Sequence, residues 1–284
     1  MRSLLFLALT TLAAVEPPGF GGTAGPGGLD AAAARQRYEA TDWHLAWSDD
    51  FTMPGRPNPA KWTYEEGLVR NGEAQFYTRD RAENARVEDG HLIITARKEP
   101  WQGAGYTSAS LTTQGRFALT GGKIEIRAQL PRGRGTWPAL WTLGDYDATK
   151  GWPEGHWPRC GEIDLVEYVG MEPERFFFTV HTERYNHTKG TQRGHNVHVA
   201  EPWKDFHRFG LVWTSERLEW FLDGEPVFAY ANDGSGPAAW PFDKPQFLLM
   251  NLAIGGGWGG QKGIDDTLFP AVMRVDYVRV WQRP

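Results

Sequence analysis

Short runs in which apolar and polar side chains alternate are the feature that most constrains the fold of this chain. In residues 123–128 the side chains of Ile124 and Ile126 alternate with charged ones, which is typical of a strand with one face on a core and one in water. Turn sequences such as Asp223-Gly224 separate the runs, and no helical periodicity extends over ten residues. The pattern predicts an all-β sandwich of two antiparallel sheets. The other strand-like runs are residues 91–96, 176–180, 209–213, 218–222 and 273–280.

The first 40 residues differ from the rest in composition. Arg2 followed by an apolar stretch ending at Ala14 predicts a signal peptide over residues 1–15 and hence a secreted protein, extracellular or periplasmic. A helical cap on a cytoplasmic protein is the alternative. Residues 16–40 are rich in Gly, Pro and Ala, which predicts a linker. Residues 41–284 then form one domain, and no apolar run is long enough to span a membrane.

Charge and aromatic content narrow the class of partner. A net charge of −5 with interspersed signs argues against nucleic acid, which selects basic surfaces, and fits a neutral polymer. The single cysteine, Cys160, allows no internal disulfide, and we interpret it as a packing residue. The chain has 14 Trp, more than a core normally needs. Flat indole rings suit surfaces on which sugars stack, although core packing is the alternative for each ring.

Three acids lie close together in one strand-like run, Gly161-Glu-Ile-Asp-Leu-Val-Glu167. Glu162 and Asp164 are two residues apart and share a face of a strand. Glu167 would face the other way unless a β-bulge at Leu165-Val166 turned it back. Adjacent carboxylates repel one another, so a purely structural strand is a poor explanation of them. A calcium site built from the same acids is the other alternative.

Two carboxyl groups in different protonation states are what hydrolysis of a glycosidic bond requires, and no metal is needed. We assign Glu162 as nucleophile, Glu167 as general acid/base and Asp164 as the acid between them that modulates both. A retaining reaction needs the outer pair at about 5–5.5 Å. The hypothesis therefore requires all three carboxylates on one concave face.

The acidic run resembles the bulged signature of family 16 glycoside hydrolases, and the resemblance extends over nearly all of residues 43–284. The laminarinase-like branch, endo-1,3-β-glucanases on a concanavalin-like β-jelly roll of two curved sheets, is the most similar, because the lichenase branch usually has an unbulged Glu-x-Asp-x-Glu strand. The further matching segments are residues 71–78, 136–144, 179–181, 251–258 and 275–280.

The resemblance implies roles for further residues. It implies that His181 lies near the acid/base residue and tunes it, with a buried structural histidine as the alternative. Asn71 and Glu73 would donate or accept hydrogen bonds to substrate hydroxyls, or else only cap strands. The sugar-stacking walls and rim of the cleft would be formed by Trp137, Trp141, Trp157 and Trp258.

Many members of the family bind one structural Ca²⁺ away from the cleft. The resemblance implies that its oxygen ligands here come from Asp50, the backbone of Gly90 and Asp276. Relatives commonly have Glu where this chain has Asp50. Oxygen ligands of this kind suit Ca²⁺, while no His/Cys spacing suggests zinc.

Several functions stay open at this point. The leading expectation is a monomeric, retaining endo-hydrolase of β-1,3-glucan with a polysaccharide substrate and no catalytic cofactor. A mixed-linkage β-1,3-1,4-glucanase, a galactan or agar hydrolase and a transglycosylase share the same chemistry. A lectin-like carbohydrate-binding protein would keep the aromatic surface but would not need both glutamates. A structural cell-wall protein is a further alternative.

Overall fold

The computed structural model describes residues 28–144 and 157–283. The predicted signal peptide and residues 16–27 of the predicted linker lie outside this part of the chain. Within these residues one α-helix, α1 (Ala31–Tyr38), comes first, and two short 3-10 helices span His187–Lys189 and Asp266–Leu268. In chain order the strands are β1 (His44–Asp49), β2 (Thr63–Tyr64), β3 (Gln75–Tyr77), β4 (Ala85–Glu88), β5 (His91–Trp101), β6 (Ala104–Ser108), β7 (Ser110–Thr112), β8 (Gly122–Gln129), β9 (Thr136–Gly144), β10 (Glu162–Glu167), β11 (Arg175–His181), β12 (Arg193–His198), β13 (His207–Trp213), β14 (Arg217–Leu222), β15 (Glu225–Ala231), β16 (Gln246–Ile254) and β17 (Ala271–Gln282).

The strands form two sheets, which confirms the predicted all-β sandwich. The larger sheet has ten strands in the order β15-β14-β13-β8-β17-β5-β6-β3, with β1 beside β17 and β4 beside β5. The smaller sheet has seven strands in the order β12-β11-β10-β9-β16-β7-β2. The pairing is antiparallel except between β3 and β6, which run parallel. Strand β10, which carries the three acids, therefore lies inside the smaller sheet, between β9 and β11.

The core lies between the two sheets and follows the alternation seen in the sequence. On β8 the side chains of Ile124, Ile126 and Ala128 are fully buried. On β10 the core receives Ile163, Leu165 and Val166 from the smaller sheet. Burial of these apolar side chains is the main stabilising contribution in a sandwich of this kind, and it leaves the outer face of the smaller sheet available for polar groups.

The linker was predicted to extend to residue 40, and the last part of this prediction is wrong, because residues 31–38 form helix α1. Asp30 caps the helix by accepting a hydrogen bond from the backbone N–H of Ala33 (3.1 Å). The helix contains four consecutive alanines, which have the highest helix propensity. The Gly- and Pro-rich residues before Asp30 obscured this short signal in the composition.

Helix α1 packs on the outer face of the larger sheet. The ring of Tyr38 stacks on Phe221, with ring centroids 4.3 Å apart. Arg37 donates from Nε to Oε2 of Glu219 (2.7 Å), whose side chain is completely buried. A Cβ atom on Gly210 would come within 2.8 Å of the Tyr38 ring, so the glycine permits the close approach. In the described residues no helix is long and apolar enough to cross a bilayer.

Candidate active site

The predicted bulge is present in β10 and brings the three acids to one face. On the β9 side, Asp164 pairs with Trp141 and Val166 with Leu140, so two residues of β10 oppose one of β9. The same shift separates Asp164 and Glu167 on the β11 side. Because Leu165 and Val166 both enter the core, Glu162, Asp164 and Glu167 all point to the outer face of the smaller sheet.

The bulge is fixed from the opposite sheet. The indole N–H of Trp220, on β14, donates to the backbone carbonyl of Asp164 (2.8 Å) across the core. The Trp220 ring is completely buried. This hydrogen bond satisfies a carbonyl beside the irregular pairing, which would otherwise be a buried unpaired acceptor.

The environment of the acids favours their protonated forms. Burial raises the pKa of Glu162 to about 7 and the pKa of Glu167 to about 8. Burial and then the neighbouring charges of both glutamates raise the pKa of Asp164 well above its usual range. Three carboxyl groups this close cannot all be ionised at neutral pH, so the site holds at least one proton.

Each outer glutamate accepts a hydrogen bond from a different indole. Trp157 Nε1 donates to Glu162 Oε2 (2.6 Å), and Trp137 Nε1 donates to Glu167 Oε1 (3.0 Å). Glu162 also interacts with Asp164 through a side-chain hydrogen bond that lowers the pKa of Glu162, whereas the charge of Glu162 raises the pKa of Glu167. Negative charge on Glu162 therefore favours the protonated form of Glu167, which is the direction that the assigned roles require.

His181 does not lie beside the acid/base residue as expected. The antiparallel register of β10 and β11 pairs it with Glu162, so it lies at the nucleophile end of the strand. Its Nε2 is 3.6 Å from Asp164 Oδ2 and 3.9 Å from Glu162 Oε1. Burial, and then the charge of His187, lower the pKa of His181 to about 3. The imidazole is therefore neutral at neutral pH.

The four predicted tryptophans have different surroundings. Trp141 is only 7 % exposed, donates from Nε1 to Asn251 Oδ1 (2.7 Å) and carries the guanidinium of Arg70 over its ring. One face of this ring is therefore already covered by a side chain. Trp137 and Trp258 are half-buried and pack edge to face, with centroids 5.6 Å apart.

Trp157 belongs to a ring cluster at the nucleophile end. Its ring lies 4.9 Å from that of His187 and 6.0 Å from that of His181, measured between centroids. His187 and His181 contact each other edge to face at 5.1 Å. The indole that donates to Glu162 is thus held on two sides by neighbouring rings.

The expected hydroxyl-binding residues form a network in which Glu73 is an internal acceptor. Its Oε1 accepts from Asn71 Nδ2 (3.2 Å) and its Oε2 from Gln75 Nε2 (2.7 Å). An isolated bridge between Glu73 and Gly255 joins this loop to the glycine-rich loop that carries Trp258. Glu73 is buried while Asn71 is exposed, so Asn71 is the member of the pair that a ligand can reach.

Sequence reasoning assigned no role to three residues of this surface. Gln75, Asn251 and Arg70 lie in or beside segments that matched the family, and each contacts a residue that was predicted. Gln75 is completely buried and Asn251 is 5 % exposed. The sequence did carry a signal for Gln75 and Asn251, since each is a polar residue inside an apolar, strand-like run. A polar side chain buried at such a position requires hydrogen-bond partners.

The residues expected to bind calcium have other partners. The strand pairings Asp49↔Val278 and Val275↔Leu92 bring Asp50, Gly90 and Asp276 to neighbouring positions. However, Asp50 forms an ion pair with Arg279 (2.7 Å) and Asp276 one with Arg127 (2.5 Å).

A cation at this position would have to draw both carboxylates away from their arginines. Both expected side-chain ligands are therefore available to calcium only in exchange for these ion pairs. In the described part of the chain, the group of His, Cys, Asp and Glu side chains close enough to share a metal is Glu162, Asp164 and His181, in the cleft itself.

Comparisons with known proteins agree with this geometry. The family model of the glycosyl hydrolases family 16 matches residues 72–279. A β-glucanase of Rhodothermus marinus is 48 % identical over 251 residues, which are 86 % of this chain and 87 % of the relative. The crystal structure of the laminarinase from the same organism has a TM-score of 0.82 at 47 % identity, over 85 % of this chain and 98 % of that one.

A second solved structure broadens the comparison. A non-specific endo-β-1,3(4)-glucanase is 41 % identical with a TM-score of 0.80, over 86 % of this chain and 92 % of that one. Together the structural matches confirm that the two sheets form the predicted jelly-roll sandwich.

Proposed function

Because the chain belongs to glycoside hydrolase family 16, we propose that it is a retaining endo-hydrolase of β-1,3-glucan. The observation that carries the proposal is the bulged strand, which presents Glu162 and Glu167 on one face with one indole N–H on each. The similarity to a laminarinase over most of both chains supports β-1,3-glucan as the substrate.

The reaction proceeds by double displacement. Ionised Glu162 attacks the anomeric carbon while protonated Glu167 gives its proton to the leaving glycosidic oxygen. Glu167, now ionised, then takes a proton from water, which attacks the same carbon and releases Glu162. Asp164 shares a proton with Glu162 and is the modulating acid. The two glutamates supply the acid, the base and the nucleophile, so the chemistry requires no cofactor.

Substitution of the two glutamates tests the assignment. Glu162→Ala and Glu167→Ala should each lower kcat on laminarin by at least about 10²–10⁴-fold, the range for loss of general acid/base catalysis. Glu174→Ala is the matched control, because this glutamate is exposed and paired with His198 at the surface. NMR of the first product should show the β-anomer. Near-normal activity of either cleft variant would contradict the assigned roles.

The choice of glucan linkage requires a separate assay. The similarity to a non-specific endo-β-1,3(4)-glucanase makes mixed-linkage glucan the second candidate substrate. Reducing-sugar release should be measured on laminarin, lichenan, agarose and carrageenan. Release from lichenan alone would replace the proposed substrate, whereas binding to laminarin without release from any glycan would favour a lectin-like protein.

A structural calcium at Asp50, Gly90 and Asp276 is proposed as a stabilising ion outside the cleft. The ion would have to outcompete Arg279 and Arg127 for the two carboxylates. An ion that binds only the folded state raises its stability, by about 2–4 °C in Tm for each kcal/mol. Thermal unfolding in excess CaCl2 and in EDTA measures the difference, and identical Tm values would refute the ion.

The cellular context is proposed from the sequence. We propose an exported, monomeric enzyme, and the apolar N-terminal stretch supports the export. N-terminal sequencing of the protein recovered from the medium or periplasm should show cleavage near residue 15, and light scattering after size exclusion should give the mass of one chain. An uncleaved protein in the cytoplasm would contradict the proposed export.

A further inference from the structure

Arg70 lies on the wall of the cleft next to the catalytic strand. Its Cζ is 5.0 Å from the centroid of the Trp141 ring, and Trp141 is the residue of β9 that pairs with Asp164. The Trp141 ring is fixed in turn by its hydrogen bond to Asn251 (2.7 Å). A guanidinium stacked on this ring is therefore held over the face that carries the three acids.

The rest of the Arg70 side chain is also restrained. One terminal nitrogen, Nη2, donates to Glu65 Oε1, and the other oxygen of Glu65 accepts from Ser110 Oγ (2.6 Å). The second terminal nitrogen, Nη1, is buried and has no hydrogen-bond partner among the described residues. A buried donor without a partner destabilises a fold by about 1–3 kcal/mol, so packing alone does not explain why an arginine stands here.

From these contacts we propose that Arg70 is a positioning residue for the reaction, which supplies the positive charge that keeps the nucleophile Glu162 ionised. The inference rests on the proposed glycoside hydrolysis. Double displacement begins from a carboxylate, yet burial alone would leave Glu162 protonated. A cation fixed at the wall by Trp141 and Glu65 offsets this effect without forming an ion pair that would block the nucleophile.

The electrostatics of the cleft agree with this role. The charge of Arg70 lowers the pKa of Glu162, after the larger effects of burial and of the hydrogen bonds from Trp157 and Asp164. His181 is neutral because its pKa is lowered to about 3. Within the part of the chain that the structure describes, the titratable or charged groups around Glu162 are Asp164 and Glu167 on its own strand, Cys160 in the preceding turn, His181 on β11, His187 beside Trp157, and Arg70.

The test is the pH dependence of kcat/KM, whose acidic limb reports ionisation of the nucleophile in the free enzyme. Arg70→Met keeps an apolar side chain on Trp141 but removes the charge. The limb should move up by as much as about one pH unit, because an opposite charge in close contact lowers a carboxyl pKa by about 1–3 units and Arg70 acts without direct contact. In Arg70→Lys, which keeps the positive charge, the limb should lie close to that of the unaltered enzyme. In Arg70→Met, KM should change less than kcat at acidic pH.

Arg79→Met is the matched control, because Arg79 lies just after β3, as Arg70 lies just before it, but pairs with Glu66 at the surface (2.9 Å). Its acidic limb should coincide with that of the unaltered enzyme. Should Arg70→Met fail to fold, Arg70→Gln is measured in its place and should show the same upward shift.

An acidic limb unchanged in the neutral Arg70 variants would overturn the inference, even if activity fell. The same holds if Arg70→Lys shifted the limb as far as the neutral variants do. All measurements use a glycan that the unaltered enzyme hydrolyses. An unaltered enzyme inactive on every glycan would instead remove the proposed function itself.

Discussion

Each of the two outer glutamates accepts a hydrogen bond from its own tryptophan, Glu162 from Trp157 and Glu167 from Trp137. The sequence predicted both tryptophans as sugar-stacking rings. Their N–H groups also donate hydrogen bonds to the two glutamates. Such bonds depend on distances of about 3 Å, so they could not be predicted from the spacing of residues in the sequence. Since both hydrogen bonds favour the ionised carboxylate, they counteract the burial that raises both pKa values.

Replacing the two indoles by phenylalanine should move opposite limbs of the pH profile. Loss of the Trp157 N–H raises the pKa of Glu162, so in Trp157→Phe the acidic limb of kcat/KM should move up. Loss of the Trp137 N–H raises the pKa of Glu167, so in Trp137→Phe the alkaline limb should move up. Each shift should be about one unit, the equivalent of a hydrogen bond to a charged group.

The two variants serve as controls for each other, because both remove the same indole group from the cleft. If both shifted the same limb, or neither shifted any, the indole hydrogen bonds would not set the protonation states. Activity at the pH optimum measures any separate contribution of the rings to sugar stacking.

Among the elements, the strands were the most predictable and helix α1 the least. The six predicted strand runs all lie in observed strands, because alternation in burial records directly which face meets the core. The bulge in β10 was also predictable, since three acids on one face demand it. Helix α1 was missed because it has only two buried side chains, Ala34 and Tyr38, too few to give a periodic pattern.

The attachment of α1 to the sheet should depend in part on the ion pair between the partly exposed Arg37 and the buried Glu219. Arg37→Ala leaves the buried carboxylate of Glu219 with Arg217 as its remaining cation, 3.5 Å away. The free energy of unfolding should fall by about 1–3 kcal/mol, the cost of leaving a buried acceptor short of a donor. Arg35→Ala is the control, because its pair with Glu225 is exposed and should contribute under about 1 kcal/mol.

Denaturant unfolding measures both variants. Equal, small losses would show that α1 is dispensable for the stability of the sandwich. A double variant, Arg37→Met with Glu219→Leu, should recover most of the loss, since replacing a whole buried pair by apolar side chains is often neutral.

At the scale of the whole molecule, the cleft reduces stability for the sake of chemistry. Raised pKa values at Glu162, Asp164 and Glu167 mean that the folded state binds protons more tightly than the unfolded state. Stability therefore falls as pH rises from the unfolded pKa values to the folded ones. The lowered pKa of His181 acts oppositely, because the unfolded chain takes up that proton as pH falls below the ordinary value of 6.5.

Glu167→Gln should reveal how much stability the folded state loses at high pH through this buried carboxyl group. Glutamine cannot ionise, so the variant avoids the burial of a charge that the unaltered enzyme meets once the pH exceeds the raised pKa of about 8. Its Tm should exceed that of the unaltered enzyme at about pH 9, with a smaller difference at about pH 3, where the carboxyl is protonated in both folded and unfolded states. Scanning calorimetry at the two pH values measures it, and an equal difference at both would contradict the linkage.

The bulge in β10 also bears on how such a strand can change in evolution. Deleting Leu165 or Val166 would remove the unpaired residue and its irregularity together, and it would leave all three acids on the same face of a regular strand. The principal loss would be one apolar side chain from the core, with the hydrogen bond from Trp220 left to readjust. A single-codon deletion at this point, or the reverse insertion, therefore connects the bulged and unbulged forms and keeps all three carboxylates on one face. The same event between Glu162 and Asp164 would turn Glu162 into the core.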